Sequence, residues 1–398
     1  MKIAFFTENY YKGGLDTFII NLVNNWPCNT DELFLICNSN HPGLDKIKNK
    51  CNSLKIVKYN YIFSNNCNTE FKIKFVNFIL KLFYKLIEYP ILLPWYVISL
   101  KRRFKISDYD RLMVINGGYP ASLLCRVSCI AWRLCGKKYP AIFNYHNLVQ
   151  ASKWPFSIID NKIDLAVIKS CNFFITVSEA CKLTLPNRPA FKFYNKSIYI
   201  HNGINKPSFD FKNETDSKPY CLVLATYEIR KGHEYLLKAF KLVINKYPNI
   251  VLKIYGHGSK YEQKRIRDLI LFYELTSNVY LNGFVDDTES LIRNSKILLI
   301  PSQSFESFGL TAIEAMSLGI PIVSTDVGGL PEVIANNGAG IVCSKDSYID
   351  FANAIIKILS SDELMNKYSQ QGESAFLHNF TSKRMSLQYS TIIKSINP

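Results

Sequence analysis

Two hydrophobic patterns alternate along the first half of the chain. Short unbroken apolar runs recur at residues 2–7, 33–37, 56–59, 112–115, 142–145, 173–177 and 198–200. Between them lie stretches with apolar positions at helical spacing, such as Phe18, Ile19, Leu22 and Val23 within residues 15–26. An unbroken apolar run is the signature of a strand covered on both faces, and such strands alternating with helices predict a parallel, doubly wound α/β sheet. After a polar stretch over 205–218, with Pro207, Asp210, Asn213 and Asp216, the alternation begins again. It predicts strands at 220–225, 250–255, 279–281, 297–301 and 320–324, and helices at 233–246, 287–294 and from Leu310 to about 318. Gly256-His257-Gly258 leads into another helix that ends near Tyr273. The expectation is two domains, 1–203 and 204–380, with the polar stretch as linker. A helix over 381–398 completes the pattern, for which a return to the first domain is an open course.

One stretch interrupts this order. Over 71–100 nearly every position is apolar, and Glu70, Lys74, Asn77, Lys81, Lys85 and Glu88 form a single narrow polar stripe at helical spacing. The helix is expected to stop near Pro90, and Pro94 to break the remaining run, so that no apolar span of about 20 residues is left to cross a membrane. Two readings stay open for the region 71–105: a helix lying in a membrane interface, and a helix pair buried against the sheet. Lys101, Arg102 and Arg103, with Arg126, Arg133, Lys137 and Lys138, favour the interface.

Length and charge sharpen the picture. A chain of 398 residues suits two domains of ordinary size. The net charge of +16 is lopsided: residues 1–215 hold 29 Lys+Arg against 14 Asp+Glu, and residues 216–398 hold 19 against 18. The first half therefore points to an anionic partner, or else presents a solvated basic face. Nucleic acid is disfavoured as that partner, because the basic residues lie amid apolar helices and not on an aromatic stacking surface. The 11 cysteines show no C-x-x-C pair and fall largely inside apolar runs, which implies reduced thiols and a cytoplasmic setting. The N-terminal MKIAFFTENYYKGG has an apolar run too short for a signal peptide and reads as a first strand.

Candidate chemistry concentrates in residues 301–332, PSQSFESFGLTAIEAMSLGIPIVSTDVGGLPE. Glu306 precedes a small-residue turn, and Glu314 lies one turn into the helix beyond it. A loop leading through Gly309 into a helix at Leu310 presents backbone N–H groups and the positive end of the helix dipole, which suits a diphosphate. Glu314 is placed to accept from a ribose diol, and Glu306 from hydroxyls of a sugar beyond the phosphates. By themselves the two carboxylates fit a plain strand–turn–helix unit with two surface glutamates better. In the first domain the ends of predicted strands carry Gly13-Gly14, Gly117-Gly118, His146 and Ser178-Glu179. The turn containing Gly13-Gly14 is not G-x-G-x-x-G, so a dinucleotide fingerprint is absent, and Ser178 reads as a helix N-cap.

Glu306-Ser307-Phe308-Gly309, continued by Glu314-Ala315-Met316 and by the G-x-P-x-x-x-T-x-x-G-G-x-x-E segment from Gly319 to Glu332, resembles the family 4 glycosyltransferases. Asn202-Gly203-Ile204-Asn205 resembles the tetrapeptide that joins the two domains of that family. The resemblance implies a GT-B fold, two Rossmann-like domains facing across a cleft, and retaining transfer from a nucleotide sugar. UDP is the commoner nucleotide and GDP remains open. It implies catalytic roles for Glu306, Lys231 and His146, with Gly13, Gly14, Arg230, Lys231, Gly309, Leu310 and Glu314 around the donor. The family usually has an Arg five residues before its Lys-Gly pair, where this chain has Thr226; Arg230, or a cation from the first domain, is the expected substitute.

The implied mechanism is front-face transfer in which the departing phosphate takes the acceptor proton, so no separate base is needed. No D-x-D motif stands where a metal-dependent transferase would use one, and Asp286-Asp287 reads as a helix cap, so neither a divalent ion nor another cofactor is expected. A basic first half beside an apolar helix suits a lipid-linked or lipopolysaccharide-type saccharide acceptor. That implies surface polysaccharide synthesis by a bacterial enzyme held peripherally at an anionic membrane, on the cytoplasmic face of the inner membrane. The alternatives are another GT-B activity, such as sugar-nucleotide epimerisation, and a catalytically silent membrane-surface protein of the same fold.

Overall fold

A computed structural model of the chain describes residues 1–11, 13–61, 86–152, 154–207, 218–285 and 287–397. They form two compact units, Met1–Ile200 with Met385–Pro398, and His201–Arg384.

The first unit is built on seven parallel strands: β1 (Lys2–Thr7), β2 (Glu32–Asn38), β3 (Leu54–Tyr59), β4 (Arg111–Asn116), β5 (Ala141–Tyr145), β6 (Cys171–Thr176) and β7 (Ser197–Tyr199). Their order across the sheet is β3-β2-β1-β4-β5-β6-β7. Every residue of β4 and β5 is buried, as a strand covered on both faces requires. The edge strand β3 instead exposes Lys55 and Lys58, charges that discourage pairing with another chain. The helices around the sheet include α1 (Gly14–Asn24), α2 (Leu44–Lys50), α3 (Leu93–Ile106), α4 (Leu123–Leu134), α5 (Ser157–Ser170) and the short α6 (Glu179–Lys182). Phe18, Ile19, Leu22 and Val23 of α1 pack on Ile3 and Phe5, the face that their spacing predicts. Ser178 caps α6, its hydroxyl accepting from the Cys181 N–H at 3.1 Å.

Residues 71–85 of the 71–105 region fall outside the described residues, and with them the polar stripe from Glu70 to Lys85. Where the description resumes, the expected break is absent: the chain is helical from Leu86, passes through a π-helical turn at Glu88–Leu92 and continues as α3. An α-helix would set the Pro90 ring against the carbonyl four residues earlier, and a π turn relieves this by widening the ring of bonds. Pro94 is the second residue of α3, directly beyond the π turn, and the helix runs on through it. Glu88, the last position of the stripe, is buried and not solvent-facing. No helix among the described residues is long and apolar enough to cross a membrane.

The second unit has six parallel strands: β8 (Tyr220–Leu224), β9 (Val251–Tyr255), β10 (Val279–Leu281), β11 (Ile297–Ile300), β12 (Ile322–Thr325) and β13 (Gly340–Cys343), in the order β10-β9-β8-β11-β12-β13. Around them lie α7 (His233–Lys246), α8 (Lys260–Phe272), α9 (Glu289–Arg293), α10 (Leu310–Ser317), α11 (Leu330–Ile334), α12 (Tyr348–Leu359) and α13 (Asp362–Asn379). α9 starts two residues later than its pattern predicts, because Asp287 stays outside and accepts from the Glu289 N–H at 3.0 Å. Ile204 and Thr381 form a bridge, and a Cβ at Gly203 would lie 2.3 Å from the Thr381 carbonyl oxygen, so the two strands of chain meet only because that residue is glycine. The last helix, α14 (Ser382–Ser395), ends in the first unit, where Met385, Tyr389 and Ile393 join the core of β1, β2 and α1. There Arg111 donates to the Ile393 carbonyl at 3.1 Å, and the Asn144 amide to the Tyr389 hydroxyl at 2.9 Å.

Candidate active site

In each sheet the strand order reverses once, between β1 and β4 and between β8 and β11. Loops that leave neighbouring strands in opposite directions open a crevice at their carboxyl ends, which is where doubly wound sheets bind ligands. In the second unit those loops carry Lys231 after β8 and Glu306 after β11.

The two loops are held together by glycines. Gly232 has φ +75°, and a Cβ there would lie 1.9 Å from the Pro301 carbonyl oxygen. Its absence lets the start of α7 press against the β11 loop, a contact sealed by the Gln303 N–H donating to the Arg230 carbonyl at 2.8 Å. Lys231 then reaches across: its Nζ donates to Glu306 Oε2 at 2.5 Å, with the two side chains 16% and 17% exposed. Ser302 Oγ donates to the same oxygen at 3.3 Å. The backbone of Glu306 is fixed from the other side, its carbonyl accepting from the Gly329 N–H at 2.8 Å. Gly328, at φ +59°, leaves room for this, since a Cβ would come within 2.0 Å of that carbonyl oxygen.

Three residues beyond Glu306, Gly309 adopts φ +97° and ψ +68° and starts α10. Leu310 is the first helical residue, and its N–H belongs to the set for which a helix supplies no acceptor. Glu314, half-buried, comes in the second turn. Lys231, Glu306, Gly309, Leu310 and Glu314 are thus gathered on the loops and helix start at one crevice. Arg230 is differently engaged. Its Nε and Nη2 donate to the Glu228 carboxylate at 2.6 and 3.3 Å, and the Thr226 hydroxyl donates to the same group at 2.8 Å. Arg230 foremost holds the Glu228 carboxyl below its usual range. In this state Arg230 is committed to a carboxylate two residues away.

In the first unit Gly13 is extended, at φ 168° and ψ −160°. Its N–H donates to Asp16 Oδ2 at 3.3 Å, Asn9 Nδ2 donates to Oδ1 at 3.1 Å, and His41 Nε2 stands 3.7 Å from Oδ1. Gly43 makes space for the buried carboxylate, for a Cβ there would sit 2.2 Å from Oδ2. Asp16 therefore organises the turn that carries Gly13 and Gly14. His146 at the end of β5 pairs with Asn144 Oδ1 at 2.6 Å, and its ring packs edgewise on Phe18 with centroids 4.3 Å apart. Burial pushes its pKa down to about 3, so the imidazole is neutral at physiological pH. The sequence pattern passes over Glu8, a buried carboxylate at the carboxyl end of β1 that accepts from the hydroxyls of Tyr10, at 2.7 Å, and Ser122. The available signal is position: Glu8 is the first charged residue after an apolar strand at the reversal.

Residues 205–375 match the glycosyl transferases group 1. Over this stretch, less than half of the chain, it is similar to that family. The group 1 stretch begins beside Ile204 and contains every residue of the Lys231–Glu306 crevice. Among the curated relatives are N-acetyl-alpha-D-glucosaminyl L-malate synthase of Bacillus anthracis, 24% identical over 54% of this chain and 56% of that one, and phosphatidyl-myo-inositol mannosyltransferase of Mycolicibacterium smegmatis, 27% identical over 50% and 52%. The chain spans about half the length of these relatives. Among solved structures, Anabaena HepE in complex with UDP superposes with a TM-score of 0.75 at 16% identity, over 99% of this chain and 100% of that one. That likeness shows the fold, which is GT-B, as the sequence motifs imply.

Proposed function

We propose that the protein is a retaining glycosyltransferase that takes a hexose or N-acetylhexosamine from a nucleotide sugar, with UDP as the nucleotide, and delivers it to a lipid-linked or lipopolysaccharide-type saccharide. The observation that carries this reading is the Lys231–Glu306 pair at the β8/β11 reversal, one glycine turn before the start of α10. With no anion present, the ammonium and carboxylate neutralise each other. A diphosphate at the α10 N-terminus competes for Lys231, and the released Glu306 accepts from the sugar hydroxyls. The same exchange supplies the fixed cation that a departing phosphate needs. Glu314 holds the ribose, and Gly309 and Leu310 take the phosphates. The group 1 relatives and the UDP bound by HepE support the choice of donor. The basic first half supports an acceptor in an anionic membrane surface, reached from its cytoplasmic face.

The test is a donor-hydrolysis screen across UDP- and GDP-sugars, with and without EDTA, on wild type and Glu306→Ala. The expected result is hydrolysis of one UDP-sugar, insensitive to EDTA and lost in the variant. Equal rates in the two proteins would overturn the role of Glu306, and no turnover of any donor would overturn the activity.

A further inference from the structure

The four tryptophans divide into two kinds. Trp26 and Trp132 are buried, whereas Trp95 is 46% and Trp154 is 87% exposed. Both exposed ones border the same helix. In the run from Leu86 to Ile106, Tyr89, Leu92, Tyr96, Leu100 and Phe104 turn inward and are buried. The opposite face presents Ile87, Ile91, Trp95 and Ile98, of which Ile91 is 62% exposed. The face then changes character within one turn: Lys101, Arg102 and Lys105 are exposed and have no ion-pair partner among the described residues. Tyr89 packs on Phe156 with ring centroids 5.4 Å apart and donates to Asp160 at 3.1 Å, which brings the start of α5, with Ile158 and the preceding turn at Trp154, against the apolar end of the helix. Ile158 is exposed as well.

Single exposed apolar residues are ordinary on a soluble surface, but two tryptophans and four isoleucines on one helix and the segment beside it are not. An apolar face with aromatic anchors, continued by unpaired basic residues, is the pattern of a helix lying in a membrane interface, where the rings enter the headgroup layer and the cations meet anionic lipid. We infer that the outer face of the helical run from Ile87 to Lys105, together with the Trp154–Ile158 segment that opens α5, docks the first unit onto an anionic bilayer. About 27 Å of helix would lie flat on the surface. This deepens the reading of a lipid-linked acceptor by naming the surface that meets the membrane, and it rests on that reading only for its purpose. The unpaired charges favour lipid over the two other occupants: a second copy of this net-basic chain would be repelled, and residues 62–85 would bring further lysines.

The test is flotation of the full chain with vesicles of phosphatidylglycerol and phosphatidylcholine, against phosphatidylcholine alone. Wild type should float with the anionic vesicles and release in high salt. Each basic residue at such a surface is worth about fivefold in partition, so Lys101→Gln/Arg102→Gln/Lys105→Gln should bind about a hundredfold more weakly. Trp95→Ser/Ile98→Ser should lose binding at every salt concentration. In wild type, brominated lipid should quench roughly the half of tryptophan emission that comes from Trp95 and Trp154, a readout that depends on no variant. Donor hydrolysis in detergent should be unchanged in both variants, which separates failure of docking from failure of the transferase reading. Flotation equal in wild type and both variants would overturn the assignment, as would absence of quenching, or a dimer in sedimentation that the serine substitutions dissolve.

Discussion

Replacing Lys231 by methionine keeps the length of the side chain and removes its charge. Glu306 then remains 17% exposed, with Ser302 Oγ at 3.3 Å in place of an ammonium at 2.5 Å. A hydrogen bond to a charged partner contributes about 1.5–3 kcal/mol, and most of that is lost when one partner leaves the other stranded. For a unit of this size 1 kcal/mol shifts Tm by about 2–4 °C, so a fall of about 4–8 °C is expected from a loss of about 2 kcal/mol. The effect on turnover is larger. Removing one fixed charge aimed at a leaving group costs about 3 kcal/mol, a rate loss of roughly a hundredfold. The decisive construction is Lys231→Met combined with Glu306→Gln, which relieves the stranded carboxylate. Calorimetry should show most of the lost Tm regained, while donor hydrolysis, monitored by nucleotide release, stays at or below the level of the single variant. A double variant that recovers both would make the pair purely architectural. Single-variant turnover within threefold of wild type would refute the reasoning outright.

The same geometry makes three further outcomes testable. Gly328→Ala forces a Cβ against the Glu306 carbonyl at a left-handed backbone position, so it should lower Tm by an amount matching about 2 kcal/mol and cut donor hydrolysis at least tenfold; a neutral result in both would show that the loop yields freely. Arg230→Ala should weaken calorimetric UDP binding about tenfold if the guanidinium leaves Glu228 for the diphosphate, and unchanged binding would leave Lys231 to carry the phosphates without it. His233, fully buried at the start of α7, has its pKa pushed down to about 4 by burial first, with Arg265 and Lys231 adding to the effect. The unfolded chain takes up that proton below about pH 6.5 and the folded one does not, so stability present above 6.5 falls as pH drops toward 4, by about 3 kcal/mol in all. His233→Asn should reduce that pH slope of Tm by about one proton, and an identical slope would exclude His233 as its source.

The fold was legible because parallel strands buried on both faces write unbroken apolar runs, and β4, β5 and β11 read directly as such. The crevice in the second unit was legible for a related reason. Gly309 and Gly328 stand where the chain turns with positive φ or approaches another backbone, so these residues can hardly be anything but glycine. Pro90 and Pro94 misled, because a proline rule written for α-helices does not foresee a π turn that takes up the first and lets the helix run on through the second. Arg230 could be named from sequence, but its engagement with Glu228 and Thr226 could not, since that depends on how a three-residue turn folds back on itself. Glu8 escaped because a lone carboxylate after a strand gives no spacing to read; what distinguishes it is the order of strands in space.

That order also explains why charge is divided so unevenly along the chain. Both sheets reverse once, so each unit offers one crevice, but the two are furnished differently. At β8/β11 the described groups nearly cancel, Lys231 against Glu306 and Arg230 against Glu228, and an incoming anion must displace a carboxylate to gain a cation. Such a site selects for a ligand that rewards the displaced carboxylates too, as a diphosphate carrying sugar hydroxyls does and free phosphate does not. Among the described residues the loops around β1/β4 contribute Glu8, Gly13, Gly14 and Gly117, and the +15 of residues 1–215 also has seats elsewhere in the first unit. Part of it lies along α3, beyond an apolar face. Nucleotide binding in the second unit should therefore depend weakly on salt, while partition of the whole chain onto anionic vesicles should fall steeply with it. Calorimetry with UDP and flotation, each run across a tenfold range of salt, would separate the two, and equal salt slopes would show that one charged surface serves both.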